Sequence, residues 1–357
     1  MLPGKIVLSL APGNDFSRHS EGDFIRLCDG RILFIYSRFT ESFQDDAPSD
    51  LIALTSCDEG ETWSDPRVVI PASMHGEKNV MSVSLLRMQN GDIGLFYSVK
   101  RPGCRNDIIL SRSTDEGESF TRHISCTAPE RAAYYVLNNC RVERLHSGRL
   151  LMPLAFHRSG ADASGADYID MVAFTCFLYS DDDGESWHES PAHVMPPFTR
   201  TATGLQEPGV VQLHNGAVWG YSRTDAMYQY EYFSMDGGLS WTPAAPSRFT
   251  SPPSPMKLVH HPHTGDLYAI WNPIPNYNTR VESPAGWGRT PLVCAVSHDD
   301  GATWAEPVVI EDDLQHGYCY PAPFFTDDGC MLLSYCAGGP DDGICLARLT
   351  IRKFPLA

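Results

Sequence analysis

The sequence predicts an all-β fold, a six-bladed β-propeller with Asp-box turns, from three observations. An octapeptide with the pattern Ser-x-Asp-x-Gly-x-Ser/Thr-aromatic occurs five times. A strand–turn–strand unit with Gly in its turn occurs six times. The two repeats interleave, so each unit supplies about four strands, and radial repetition of four-stranded sheets protects their edges.

The octapeptides occupy residues 56–63, 113–120, 180–187, 234–241 and 297–304, spaced by 54 to 67 residues. Each position has a physical use. The Asp carboxylate can fold back onto backbone N–H groups of a tight turn, and Gly supplies the positive φ of that turn. The Ser/Thr hydroxyl adds a local hydrogen bond, and the aromatic ring leaves the turn to be buried. The hairpins fall at 24–36, 83–97, 142–156, 210–221, 257–271 and 322–335, with Asp-Gly, Asn-Gly, Ser-Gly or Thr-Gly between apolar runs. The sixth unit has no proper octapeptide. Its last strand is expected over 344–352, and the apolar segment 5–11 is free to complete that blade and close the ring. No linker or low-complexity run interrupts the pattern, so 1–357 is expected to be one domain.

Composition narrows the function classes. A formal charge of −17 argues against nucleic acid as a partner, because phosphate binding needs a basic face. No apolar run approaches the roughly 20 residues of a membrane span, and 5–11 is too short for a signal-peptide core. Eleven cysteines, without a Cys-x-x-Cys pair, point to free thiols in a reducing compartment and to a cytoplasmic location.

Together the boxes and hairpins resemble the sialidase (neuraminidase) superfamily of six-bladed propellers. The segment Gln206-Glu207-Pro208-Gly209-Val210-Val211 is similar to the Glu-Pro-x-Val-Val segment that opens the family's fourth inner strand. The resemblance implies that Glu207 polarises a catalytic tyrosine and that Arg223, ending the next strand, belongs to the arginine triad that grips the substrate carboxylate. Tyr320, opening the last inner strand before Asp328-Gly329, matches the nucleophilic tyrosine, with Tyr318 a rival. Arg289, before the fifth box, resembles another triad arginine. Asp45, eleven residues before Ser56, stands at the offset of the family's acid/base, with Asp46 and Asp50 close by. Arg38 matches an arginine that lines the family's pocket.

This set makes chemical sense. A phenol is a weak nucleophile at its free pKa near 10, and a neighbouring carboxylate activates it by taking its proton. Sialidases are the tyrosine exception among glycosidases. A separate carboxyl protonates the leaving oxygen and then activates water. Arginines hold a carboxylate by charge-assisted bidentate bonds.

One position departs from the family. Where sialidases carry an Arg-Ile-Pro segment, this chain has His19-Ser20-Glu21-Gly22-Asp23. An inward Glu21 is expected to pair with Arg223 or Arg289, to oppose a substrate carboxylate, or to be a catalytic carboxylate itself; Arg18 and Arg26 are candidates to replace the missing arginine. Asn79, with His75, Glu77 and Lys78, before the second inner strand, Asn139, with Asn138, before the third, and Ser254 and Lys257 at the fifth are further pocket candidates, and Tyr134, Tyr135, Tyr228, Tyr230, Trp271, Tyr277 and Trp287 are candidates for sugar stacking. The His260-His261-Pro262-His263 run abuts a hairpin turn and lacks a matched partner cluster, so no metal is expected, nor any cofactor.

The expected function is a sialidase-like, exo-acting glycoside hydrolase that removes a terminal acidic or highly polar sugar from an oligosaccharide or glycoconjugate. Two alternatives stay open: a polysaccharide lyase acting on uronates, and a non-catalytic glycan- or protein-binding propeller.

Overall fold

The glycine hairpins seed six blades in the computed structural model, which describes residues 4–128, 133–161, 164–198, 200–276 and 280–356. In blade 1, Arg18–Arg26 pairs with Ile32–Phe39, followed outward by Ser49–Ser56 and Arg67–Ile70. Blade 2 runs Val80–Arg87, Ile93–Arg101, Arg105–Ser113 and Arg122–Ser125. Blade 4 runs Gln206–Gln212, Val218–Arg223, Tyr228–Ser234 and Ala245–Thr250. Blade 5 runs Lys257–His260, Leu267–Trp271, Leu292–Ser297 and Val308–Glu311. Among the described residues, no helix is long and apolar enough to cross a membrane.

Blade 3 differs from the simple repeat. Its inner strand is split into Tyr134–Val136 and Glu143–Arg144, which pair with opposite ends of Leu150–His157. Between them the Cys140 N–H bonds the Val83 carbonyl of blade 2 at 2.9 Å, and Arg141 reaches the Tyr221 hydroxyl and the Met256 carbonyl. These contacts draw the backbone out of its own ladder. Tyr134 also pairs in parallel with Asn106, which joins blades 2 and 3 into one sheet. Phe174–Ser180 and His188–Glu189 complete blade 3, and a small hairpin, Ser159–Ala161 with Asp167–Ile169, is inserted before them.

In blade 6 the outermost strand is Lys5–Leu10, paired with Leu349–Pro355, then Cys330–Cys336 and Cys319–Phe325. The strand expected over 344–352 therefore starts later. Residues before Leu349 are diverted by other bonds: Cys345 N–H to Ala285 O at 2.8 Å, and the Arg348 guanidinium to both oxygens of Asp342 at 2.7 and 2.9 Å.

The five boxes have one shared wiring. In the first, Ser56 Oγ donates to Asp58 Oδ1 at 2.8 Å and accepts from Gly60 N at 2.8 Å. Thr62 donates its N–H and hydroxyl to the two Asp58 oxygens at 2.9 and 2.6 Å. These donors hold the Asp58 carboxyl down at about 2, the Thr62 hydroxyl contributing most. Gly60, at φ 82°, also allows close approach, since a Cβ there would lie 2.5 Å from Leu332 of blade 6. Apolar clusters fill each of the six seams between neighbouring blades, including that between blades 6 and 1, where Phe34 and Ile52 meet Leu332 and Ile351.

Candidate active site

The inner strands carry a backbone device near the end where they enter the sheet. Their pairing register shifts between Ser20 and Asp23, Met81 and Ser84, Gln206 and Gly209, and Cys319 and Ala322. Inside each bulge one non-glycine residue is left-handed: Glu21 (φ 52°), Ser82 (64°), Glu207 (49°) and Tyr320 (56°). Cys140 (57°) matches them in the interrupted strand of blade 3. Bulges re-aim side chains. Here they bring residues from several blades to one central depression.

That depression is a pocket of about 320 Å³ lined by Tyr320, Glu207, Arg223, Arg289 and Asp45, among others. The Tyr320 hydroxyl donates to Glu207 Oε1 at 2.7 Å, and Arg223 Nη1 reaches the same oxygen at 2.5 Å. Glu207 Oε2 is buried without a hydrogen-bond partner among the described residues. Burial, and then the Glu207 charge, push the Tyr320 phenol well above its ordinary value, against the opposing pull of Arg289 and Arg223. The resting phenol is therefore neutral and already aligned on a carboxylate.

Arg289 is buried, with its guanidinium 5.1 Å from the Trp287 ring and 5.7 Å from the Tyr320 ring. Its Nη1 donates to Cys319 Sγ at 3.2 Å. Burial opposes its charge, but the surrounding thiols, Tyr320 and Glu207 outweigh that and keep it a cation.

Asp45 is half-exposed at the mouth of the pocket, bonded to Arg18 Nη1 at 2.6 Å. The enclosing protein pushes its pKa up; Arg18, then Lys100 and Arg289, outweigh this and hold it below the usual carboxylate range. Arg18 is fully buried behind it. It stacks 4.4 Å above the Phe39 ring and also donates to the Phe43 carbonyl, Ser20 Oγ and Glu21 Oε1 at 3.2, 3.2 and 3.5 Å.

Glu21 pairs with Arg18 instead of Arg223 or Arg289. It is buried beneath the pocket floor, accepts from Ser82 Oγ at 3.1 Å, and its carboxyl is pushed up to about 7, chiefly by burial.

Three other residues expected to meet substrate stand elsewhere. Arg38 does not line the pocket and lies 3.9 Å over the Phe16 ring. The residue opposite Gln206 is Arg223, and the residue opposite its counterpart Ser20 is Ser37. Arg38 is one residue further along, and strand alternation turns it to the other face. Asn79 donates to the Asp45 and Ala47 carbonyls at 3.0 and 2.5 Å, so it holds the loop that carries Asp45. Asn139 donates to the Gly22 and Tyr320 carbonyls at 3.0 and 3.2 Å, which ties the bulges of blades 1 and 6 together.

Of the rivals, Asp50 caps the N–H of Ala72 at 2.8 Å, Asp46 lies along a neighbouring groove, and Tyr318 packs against His316 and Tyr335. Arg26 pairs with Glu59, well away from the pocket. Of the aromatics, Trp287 and Tyr134 line the site, Tyr135, Tyr230 and Trp271 are buried in the apolar clusters between blades with Tyr228 packed against one of them, and Tyr277 lies outside the described residues.

Lys100 and Ser82 also line the pocket. Lys100 stands two residues beyond Ser98, the partner of Met81 across the blade 2 bulge, and so on the same face. That spacing was the available signal. Nothing local marks Ser82, whose direction is set by its left-handed backbone.

Comparison with known proteins gives a consistent fold. A family model described as "BNR repeat-like domain" matches residues 72–333. An anhydrosialidase of the leech Macrobdella decora is 27% identical over 263 residues, which are 68% of this chain and 31% of that protein, so the match spans under a third of the relative's length. Among solved structures, the NanB sialidase of Streptococcus pneumoniae superposes with a TM-score of 0.72 at 13% identity, covering 99% of this chain and 71% of that one. A leech intramolecular trans-sialidase bound to 2,7-anhydro-Neu5Ac gives 0.71 at 14% identity, covering 99% and 70%. A protein of unknown function from Dyadobacter fermentans gives 0.70 at 18% identity, covering 98% and 99%. The all-β six-bladed propeller is the shared architecture.

Proposed function

We propose, on the premise that the chain belongs to the BNR repeat-like domain family of the sialidase superfamily, that it is a retaining glycoside hydrolase acting on a terminal, anionic sugar of an oligosaccharide or glycoconjugate. The observation that carries this reading is the hydrogen-bonded chain Tyr320–Glu207–Arg223 within a pocket that also receives Asp45. In the first step the Tyr320 oxygen bonds to the anomeric carbon as its proton passes to Glu207. The glycosidic C–O bond breaks, and its oxygen takes a proton from the Asp45 carboxyl. In the second step water attacks the anomeric carbon and gives a proton to Asp45, while the tyrosyl oxygen leaves and recovers its proton from Glu207. A neutral nucleophile suits an anionic sugar, which would repel a carboxylate.

The electrostatics refine the substrate. Arg223, Arg289 and Lys100 bring positive charge to the pocket, and Glu21 stands where the family's third clamp arginine is expected. Two arginines then hold the sugar's anionic group. Glu21 favours this grip while protonated and opposes it once ionised. Asp45 rests as a carboxylate on Arg18, so its service as an acid is favoured at low pH. The whole described chain, from the strand at Lys5–Leu10 to that at Leu349–Pro355, is read as one catalytic unit.

The test is product analysis by NMR on sialosides, uronic-acid oligosaccharides and neutral glycosides, with Tyr320→Phe alongside. Release of an anionic sugar with retained configuration, lost in the variant, supports the proposal. An unsaturated uronate product, or turnover unchanged in Tyr320→Phe, overturns it.

A further inference from the structure

The blade seams carry a repeated ionic staple on the side away from the pocket, where the inner strands end. In blades 1, 2 and 3 the last arginine of the inner strand pairs with the carboxylate just before the glycine of its own box. Arg26 meets Glu59 at 2.5 and 2.8 Å, Arg87 meets Glu116 at 2.6 and 3.0 Å, and Arg144 meets Asp183 at 2.7 Å. The same arginines donate to their hairpin glycine carbonyls, Gly30, Gly91 and Gly148, at 2.9, 2.8 and 3.2 Å. The carboxylate also accepts a backbone N–H from the preceding blade's hairpin: Asp327, Cys28 and Gln89 at 3.1, 2.7 and 3.0 Å. Each staple thus holds a cation, a carboxylate and a neighbouring backbone.

Blade 5 keeps two parts of this staple and changes the third. Asp300 is the box carboxylate, and it accepts the His214 N–H from the blade 4 hairpin at 2.7 Å. The arginine's place is taken by His260, whose Nδ1 lies 2.9 Å from the hairpin carbonyl of Gly265, as the arginines lie from theirs. A carbonyl only accepts, so Nδ1 carries a proton, and a neutral ring then presents the Nε2 lone pair. That atom faces Asp300 Oδ1 at 3.6 Å, and His214 Nδ1 faces the same oxygen at 3.1 Å. His260 Nε2 and Asp300 Oδ1 are buried, and neither has a hydrogen-bond partner among the described residues. The three ligand atoms lie within 4.8 Å of one another.

We propose that His214, His260 and Asp300 hold a divalent transition-metal ion of the zinc class, which supplies the positive charge that arginine supplies in the other staples. The separations of 3.1 and 3.6 Å bracket the roughly 3.3 Å edge of a tetrahedron with metal bonds of about 2.0–2.1 Å. Two imidazoles and one carboxylate suit zinc over magnesium or calcium. The Gly265 carbonyl on His260 Nδ1 is the outer partner that fixes a ligating imidazole's tautomer. His214 is well exposed, which leaves a route of entry and a fourth position for water. The ion joins blade 4 to blade 5 and takes no part in the pocket chemistry.

The experiment uses the full chain freed of metal with a chelator. Zinc is titrated by calorimetry, cobalt by its visible absorption, and Tm is read with and without zinc. The expected result is one ion per chain at a site with a tetrahedral cobalt spectrum, and a Tm that rises by several degrees with zinc. His214→Ala should weaken binding at least about 100-fold, beyond the loss usual for an outer partner. His260→Arg rebuilds the staple of blades 1 to 3; it should remain folded, reach the zinc-loaded Tm without metal, and no longer respond to zinc. Turnover should be the same in all three proteins. No saturable binding by the native chain, or binding unaltered in both variants, overturns the proposal; in the first case His260 is a protonated partner of Asp300, and in the second the thiols are the ligands.

Discussion

Replacing Glu21 by Gln should make the protein more stable in alkaline than in acidic solution, relative to the native chain. The Glu21 side chain is almost fully buried, with Arg18 Nη2 at 3.5 Å and Ser82 Oγ at 3.1 Å. Burial raises its pKa from 4.5 to about 7, helped by the Asp45 and Glu207 charges and opposed by Arg18 and Ser82. A carboxyl raised in the folded state contributes stability that is complete below the unfolded value and is lost as pH rises through the folded one. The gap between 4.5 and about 7 corresponds to roughly 3 kcal/mol, at about 1.4 kcal/mol per tenfold change. Asp23, also buried and raised to about 6, bends the native profile the same way, so the comparison with Glu21→Gln is what isolates Glu21. Urea unfolding of both proteins at several pH values reads the difference. It should be near zero at about pH 4.5, open in favour of the variant up to about pH 7, and reach up to roughly 3 kcal/mol. In parallel, the proposed function requires that KM for an anionic substrate rise with pH in the native chain and stay flat in the variant. A stability difference that is constant with pH, or a variant that weakens in alkali, would mean that Arg18 holds Glu21 ionised, and the account of the pocket floor would fall.

Three further outcomes follow from the geometry. Glu207→Gln leaves the Tyr320 hydroxyl without a base and should lower kcat by about 10²–10⁴ with the fold intact, checked by steady-state kinetics beside circular dichroism. Asp45→Asn should lose a similar factor on substrates with poor leaving groups and under about tenfold on activated aryl glycosides in the first step, which need no acid; equal losses on both would assign Asp45 another role. Asp182→Ala removes the bonds from Ser180, and from the Ser186 N–H and hydroxyl, and should lower Tm by about 2–4 °C; because local donors hold the Asp182 carboxyl near 2, its contribution in the native chain should persist above pH 3.8 and fade as pH drops toward 2.

What the sequence showed and what it hid divide along a physical line. The boxes and hairpins are legible because all their partners lie within a few residues, as between Asp58 and Thr62. Glu207 was placed by its Glu-Pro-x-Val-Val segment, Arg223 by ending the next strand and Tyr320 by its offset to a hairpin glycine, all of them local signals, and the pocket brings the three together. Arg38 misled because it was matched by its place at the end of the first hairpin, whereas the pairing sets Ser37 opposite Ser20 and leaves Arg38 one residue on, opposite His19. Glu21 misled because its partner, Arg18, is set by how a left-handed residue turns, which no periodicity encodes. Asn79 and Asn139 sit at the expected strand starts, but their amides serve distant carbonyls. His260 stood in a noticed histidine run, while His214 and Asp300 come from the neighbouring hairpin and the next box, so no sequence window contained all three.

The left-handed bulges tie the energetics of the fold to the site. Outside glycine, that conformation costs roughly 1–2 kcal/mol per residue, and five inner strands accept it. Glycine would relieve the cost and remove the side chain that the pocket uses. Ser82 tests this reasoning without touching Tyr320 or Glu207, and Ser84, two residues on in the same strand, is its control. Ser82 has φ 64°, whereas Ser84 is buried in ordinary strand geometry and accepts the Arg141 N–H at 2.8 Å. At Ser84, glycine should be less stable than alanine by about 0.5–1 kcal/mol, the usual entropic penalty. At Ser82 the order should invert, with Ser82→Gly more stable than Ser82→Ala by about 1 kcal/mol, since both lose the bond to Glu21 and only alanine keeps the strained backbone. Chemical denaturation of the four variants at one pH measures both differences. If alanine is the more stable at both positions, the bulge costs nothing at Ser82, and the inner strands hold their pocket side chains without strain.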